Sequence, residues 1–124
     1  MRRKVELEYI FSSSVSVLFS RLSTAMGLAE WFADDVRQSG DVFIFVWNKM
    51  KYRARLLELR RNALVRFKWD DADDDEYFEF LLQVDTLTSE VALIITDFVD
   101  EEDEEDAIEL WDKQIEMLHR TIGA

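Results

Sequence analysis

Residues 107–122 read AIELWDKQIEMLHRTI, and their spacing settles what the rest of the chain has to provide. Ile108, Trp111, Ile115, Leu118 and Ile122 are separated by steps of 3, 4, 3 and 4, one apolar stripe on an amphipathic α-helix. Leu110 and Met117 widen the stripe on one side. At about 1.5 Å per residue such a helix reaches about 25 Å, far enough to lie across several strands spaced about 4.8 Å apart. One terminal helix can therefore cover a sheet alone. Acids from Glu101 to Asp106 crowd its N-terminus, where the helix dipole favours them, and Lys113 and Arg120 lie toward its negative end.

Upstream of that helix the apolar period changes from 3.6 to two. From Val36 to Val99 short runs alternate with polar turns: Ser39-Gly40-Asp41 precedes Val42 to Trp47, Asn48-Lys49 precedes Tyr52 to Leu59, and Arg61-Asn62 leads into Ala63 to Trp69. Tyr77 to Val84 and Val91 to Val99 complete the series. Turns this short join antiparallel neighbours, because a parallel crossover needs a dozen or more residues. The start of the chain adds another strand, with Val5, Leu7, Tyr9 and Phe11 on one face and Lys4, Glu6 and Glu8 on the other. Ser12-Ser13-Ser14 then supplies cap hydroxyls for a short helix carrying Val15, Leu18, Phe19 and Leu22. Ser23-Thr24 caps a second one carrying Met26, Ala29 and Phe32, with Gly27 as a weak point inside it. The predicted class is α+β, with an antiparallel meander, two short helices after the first strand and a long C-terminal helix.

Composition is consistent with one packed domain over residues 1–124. The chain is 48% hydrophobic and 13% aromatic, with nine Phe and four Trp, which excludes disorder for most of it. It has no Cys and a single His, His119, so disulfides, thiolate sites and paired imidazoles are excluded. The net charge of −12 is concentrated in two stretches, residues 70–76 with six acids and residues 97–106 with eight, neither containing a base. The remaining 13 acids and 15 bases are nearly balanced, so the low isoelectric point argues for solubility and against nonspecific nucleic-acid binding. No apolar run approaches the roughly 20 residues of a membrane-spanning helix, and the acids of Val5 to Tyr9 interrupt any secretory signal. A cytoplasmic protein without membrane insertion is expected.

The order of elements resembles the START-like superfamily, the helix-grip or SRPBCC group that includes the birch-pollen-allergen fold. Within it the chain is similar to small bacterial proteins related to the activator of the heat-shock-protein-90 ATPase. The likeness rests on Leu28-Ala29-Glu30-Trp31-Phe32, on Ser39-Gly40-Asp41, and on Tyr52 to Leu59 followed by Leu64-Val65-Arg66-Phe67-Lys68-Trp69. Thr88 to Thr96 adds a Thr-rich apolar strand. The resemblance implies a curved sheet gripping the last helix, with a hydrophobic space between them that holds a small apolar or amphipathic ligand without catalysis. The alternative is a protein-interaction or co-chaperone-like module with a filled core, linked to a chaperone by analogy or self-associating through the basic residues between Lys49 and Lys68.

Phe67, Trp69, Phe78 and Phe80 share strand phases that face Trp111, Ile115 and Leu118. Together with Phe32, Trp47, Tyr52, Ile94 and Thr96 they are the residues expected to line such a cavity. The same aromatics can instead fill it, since aromatic burial dominates the core of any small domain. Tyr9, Tyr52, Thr96 and His119 are the polar groups among them. An enclosed cavity of about 300 Å³ or more favours binding, and a filled interior with an exposed apolar patch favours interaction.

Other constellations are weaker. Asp71, Asp73 and Asp75 match the first positions of a calcium loop, but Glu76 stands where glycine is needed and Leu82 where a bidentate glutamate should close the shell. No metal site and no cofactor are expected. Eight bases between Lys49 and Lys68, opposed only by Glu58, form a local charge of +7, read as an exposed sheet face paired with the neighbouring acidic turn. No nucleophile elbow, phosphate loop or dinucleotide fingerprint is present, and Glu58, Glu79 and Asp97 are expected to point outward. No catalytic residue is assigned.

Overall fold

The computed structural model of the protein describes residues 1–123. Among them lie seven strands, β1 (Arg2–Phe11), β2 (Asp35–Ser39), β3 (Val42–Trp47), β4 (Met50–Arg60), β5 (Leu64–Trp69), β6 (Phe78–Val84) and β7 (Val91–Asp100). Helices α1 (Val15–Ser23) and α2 (Ala25–Trp31) follow β1, and a 3-10 turn at Glu101–Asp103 leads into α3 (Glu104–Ile122). The strands form one antiparallel sheet in the order β1-β7-β6-β5-β4-β3-β2, so every hairpin neighbour is a sheet neighbour and β1 returns to pair with β7. This is the α+β helix-grip arrangement that the sequence predicts.

Local chemistry explains the boundaries. The Ser14 hydroxyl accepts the Val17 N–H at 3.2 Å and the Thr24 hydroxyl accepts the Gly27 N–H at 2.9 Å, each capping a short helix. Asn48 and Lys49 both take positive φ, the backbone of the tight two-residue turn between β3 and β4. Gly123 ends α3 in the left-handed conformation, its N–H donating to the His119 carbonyl. The β4–β5 register shifts between Leu56 and Glu58, a bulge of the kind that bends a sheet.

The two faces of the sheet differ sharply. Leu7, Ile95, Phe80 and Val65 lie opposite one another across four strands and belong to the core. One residue along, Glu6, Thr96, Glu79 and Arg66 make the corresponding row on the outer face. There Arg66 pairs with Glu79 and lies 4.3 Å above the Tyr77 ring. Against the inner face α3 lays Trp111, Ile115 and Leu118, all buried. Leu110 and Met117 are exposed, so the widened side of the stripe is not packed on the sheet.

The acidic run of residues 70–76 is partly paired. Arg2 reaches Glu76 at 2.7 Å and Asp100 at 3.3 Å, and Arg53 reaches Asp70 at 3.3 Å. The Arg2 hydrogen bond holds the Glu76 carboxyl below the usual carboxylate range. Lys68 donates to the carbonyls of Asp73 and Glu76. Half of the basic cluster is thus satisfied locally, while Lys49, Lys51, Arg55 and Arg61 stay exposed. Among the described residues no helix is long and apolar enough to cross a membrane.

Candidate functional site

The space between sheet and helix is filled at its centre and open at one end. Phe11, Phe43, Phe45, Phe67, Phe80 and Leu118 have no exposed surface, and their rings interlock at centroid distances such as 5.0 Å for Phe43–Phe67. Where the N-terminal half of α3 passes the turn between β3 and β4, the packing stops. A cleft of about 400 Å³ opens there, lined by Phe32, Trp47, Asn48, Trp69, Phe78, Asp97, Ala107, Leu110, Trp111 and Gln114. Most of that wall is apolar, with a few convergent polar groups, as in small-molecule sites generally.

Phe32, the residue that closes α2, organises this end. Its ring meets those of Trp31, Phe45, Trp47, Phe78, Phe80 and Trp111 at 5.2 to 6.0 Å. Its carbonyl accepts the Trp47 indole N–H at 2.8 Å and the Gln114 amide at 2.9 Å. One backbone oxygen therefore ties α2 to β3 and to α3. Trp69 stacks on Phe78 at 4.8 Å and meets Trp47 edge-on at 6.0 Å, which completes a continuous aromatic wall.

Asp97 is the charged residue of the cleft. It shares the parity of Leu93 and Ile95 along β7 and so turns inward, contrary to the outward orientation expected from the sequence. Its Oδ2 accepts the Trp111 indole N–H at 3.0 Å and its Oδ1 accepts the Phe98 backbone N–H at 2.8 Å. Burial pushes its pKa above the usual value, against the pull of those two hydrogen bonds and of Arg2, with Glu76 adding to the rise. The native state thus binds the proton more tightly than the unfolded chain does. Its contribution to stability is fully present below the ordinary aspartate value of about 3.9 and is lost as pH rises through the native pKa. A carbon-detected titration should give Asp97 a midpoint above the ordinary aspartate value. The Trp111 indole proton should titrate with the same midpoint, and independent titration of the two would show the hydrogen bond to be absent in solution.

The twelve residues expected to line a cavity fall into four groups. Phe32, Trp47, Trp69, Phe78 and Trp111 line the cleft. Phe67, Phe80, Ile115 and Leu118 are in the filled core behind it. Tyr52 stands at the rim, its ring 5.6 Å from Trp47 and 6.5 Å from Trp69, beside a separate surface depression. Ile94 and Thr96 require correction: they alternate with Leu93, Ile95 and Asp97 and therefore face away from α3. Of the remaining polar candidates, Tyr9 donates to Asp112 at 2.6 Å and His119 stacks on Phe11 at 3.9 Å. The sequence reading omitted Asn48, Ala107, Leu110 and Gln114 from the site. Asp97 could have been found by counting parity from Leu93.

Comparison with known proteins bears on this arrangement at the level of fold. A Bacteroides fragilis protein solved in solution is 35% identical, with 97% of this chain and 90% of that chain aligned at a TM-score of 0.69. The Aha1 dimer from Colwellia psychrerythraea is 14% identical, covering 97% of this chain and 96% of its own at a TM-score of 0.81. A Bacillus halodurans protein shares 17% identity over 97% of this chain and 96% of that chain, at a TM-score of 0.77. Curated proteins yield no match. The profile of a START-like superfamily domain matches residues 1–124 in full. With a gripped terminal helix, two short helices after the first strand and a family match over its whole length, the chain belongs to the START-like superfamily.

Proposed function

We propose that this protein binds a small hydrophobic or amphipathic molecule, without catalysis, in the cleft between α3 and the β3–β4 end of the sheet, as a cytoplasmic protein. The observation that carries the reading is an open, largely apolar cleft, bordered by the partly exposed Trp47 and Trp69, beside an otherwise filled core. The Phe32 carbonyl, accepting from Trp47 and Gln114, fixes α2, β3 and α3 at the edge of the cleft, which supports a preformed space. Leu110, 58% exposed at the rim, gives an entering molecule an apolar edge to slide past.

Saturable binding of the neutral dye N-phenyl-1-naphthylamine tests this. Trp47, Trp69 and Trp111 line the cleft, so tryptophan emission should fall by energy transfer in step with the gain in dye emission. Leu110→Glu should weaken binding about fivefold, the loss of roughly 1 kcal/mol of apolar contact, while altering stability by less than about 0.5 kcal/mol because the position is on the surface. Dye emission that never saturates, or is indifferent to Leu110, would remove the cleft from consideration.

A second reading has its own support. Ala29, Trp31, Ala33, Leu110 and Met117 border a groove between α2 and α3 next to the cleft, an apolar strip suited to a protein partner or a second copy of the chain. The Aha1 neighbour is a dimer. Sedimentation equilibrium separates the readings, because a dimer that dissociates on Met117→Glu would place association on this strip.

A further inference from the structure

We propose that the molecule received by the cleft carries an organic ammonium group, held between the Asp97 carboxylate and the faces of the surrounding aromatic rings. The inference rests on the binding reading above and specifies its chemistry. Among the ten lining residues Asp97 alone bears a charge. Both hydrogen bonds it accepts come from neutral N–H groups, and a carboxylate offers about four acceptor positions, so half of its capacity is unused. Among the described residues no cation lies within ion-pair distance of it. Arg2 is engaged by Glu76 and Asp100, and Arg66 by Glu79.

The walls complete the complementarity. Trp47 and Trp69, both partly exposed, border the cleft, with the buried rings of Phe32, Phe78 and Trp111 behind them, and aromatic rings attract an ammonium more strongly where water is excluded. An anionic head group meets the opposite conditions, since it would face Asp97 directly and the −12 charge of the chain more broadly. Asp97 is half-buried and, among the described residues, makes no ion pair, and carboxyl groups perturbed in this way concentrate at sites where the charge is used.

Several neighbours face Asp97 and enter its titration. Arg2 approaches from β1, and Asp71, Asp73 and Glu76 border the polar depression on its other side. The α3 residues that line the cleft with it, Ala107, Leu110, Trp111 and Gln114, are neutral, as is Asn48 of the β3–β4 turn. Loading an ammonium beside the carboxylate must therefore stabilise its ionised form, and by linkage binding must tighten as Asp97 loses its proton.

The test compares hexylammonium with 1-hexanol and hexanoate on the intact chain, by calorimetry and by carbon-detected titration of Asp97. At pH 8 the ammonium should bind about tenfold more tightly than the alcohol, and hexanoate more weakly than either. Saturating ammonium should lower the Asp97 titration midpoint, whereas the alcohol should leave it in place or raise it. In Asp97→Asn, with folding checked by the tryptophan indole resonances, the ratio of ammonium to alcohol affinity should fall to about one. Equal affinities in the native protein, or an unmoved Asp97 midpoint under saturating ammonium, would overturn the ammonium assignment while leaving apolar binding intact. Failure of all three compounds to bind would overturn both it and the cleft reading.

Discussion

Replacing Phe32 with alanine should lower the melting temperature by roughly 10–20 °C, the equivalent of about 3–5 kcal/mol for a core Phe in a domain of this size. The expected loss is at the upper end because the ring is shared. Six aromatic neighbours from α2, β3, β6 and α3 meet at Phe32, so truncation removes the one surface common to all of them. The hole would lie at the back of the cleft and cannot collapse easily, since the Phe32 carbonyl still anchors Trp47 and Gln114. Set against a total stability of about 5–15 kcal/mol for natural domains, this single change should remove a large fraction of the stability. A calorimetric shift below about 5 °C would mean that the aromatic cluster does not hold α2 to the sheet.

Gly27→Ala is the second large effect, and its sign opposes the usual helix scale. Alanine in the middle of a helix gains about 1 kcal/mol over glycine, and α2 has only seven residues, so a helix-propensity argument predicts stabilisation. At Gly27, however, an added Cβ would sit 2.3 Å from the Ser20 carbonyl oxygen and 2.7 Å from the Arg21 Cα, both backbone atoms of α1. Backbone cannot swing aside as a side chain does, so α1 and α2 would have to separate. That separation strains the Trp31 indole bond to the Arg21 carbonyl at 2.8 Å and the Arg21–Glu30 pair at 2.7 Å. The net result should be a loss of roughly 1–3 kcal/mol, the range of overpacked cores. A variant that melts at or above the native temperature would show that the helix pair is free to open. Gly27 reads as a weak point in the sequence and functions in the fold as the position of closest approach.

Both effects bear on function because α2 delivers Phe32 to the cleft. A START-like scaffold offers a space between sheet and helix, and this chain has filled most of it with phenylalanine. The proposed binding is then confined to the open end, where Trp47 and Gln114 donate to the Phe32 carbonyl. Ammonium selectivity and dimerisation at the α2–α3 groove would place different demands on that end, and the proposed measurements distinguish them by ligand charge and by subunit number.

Much of the architecture was legible because it is set over short distances along the chain. The 3.6-residue stripe of Ile108 to Ile122, the alternation of Val5 to Phe11, the hydroxyls of Ser14 and Thr24 and the two-residue turn at Asn48-Lys49 each report their own conformation. The site was harder to read. Phe67 and Trp69 occupy the same strand face, yet one is sealed in the core and the other lines the cleft, a difference that strand parity does not express. Ile94 and Asp97 show the price of a single parity error, which exchanges an outward residue for an inward one.

By itself, then, the amino-acid order determined which segments are helix or strand, in what succession they run and that one terminal helix must cover the sheet. Those properties follow from period and turn chemistry within a few residues. Tertiary structure alone decided that Asp97 meets Trp111, and that the Phe32 carbonyl meets Gln114 across 82 positions of chain. It also decided where the packing of aromatic rings gives out. These outcomes depend on strand register, on the bulge in β4 and on the rotation of α3, which no local pattern encodes.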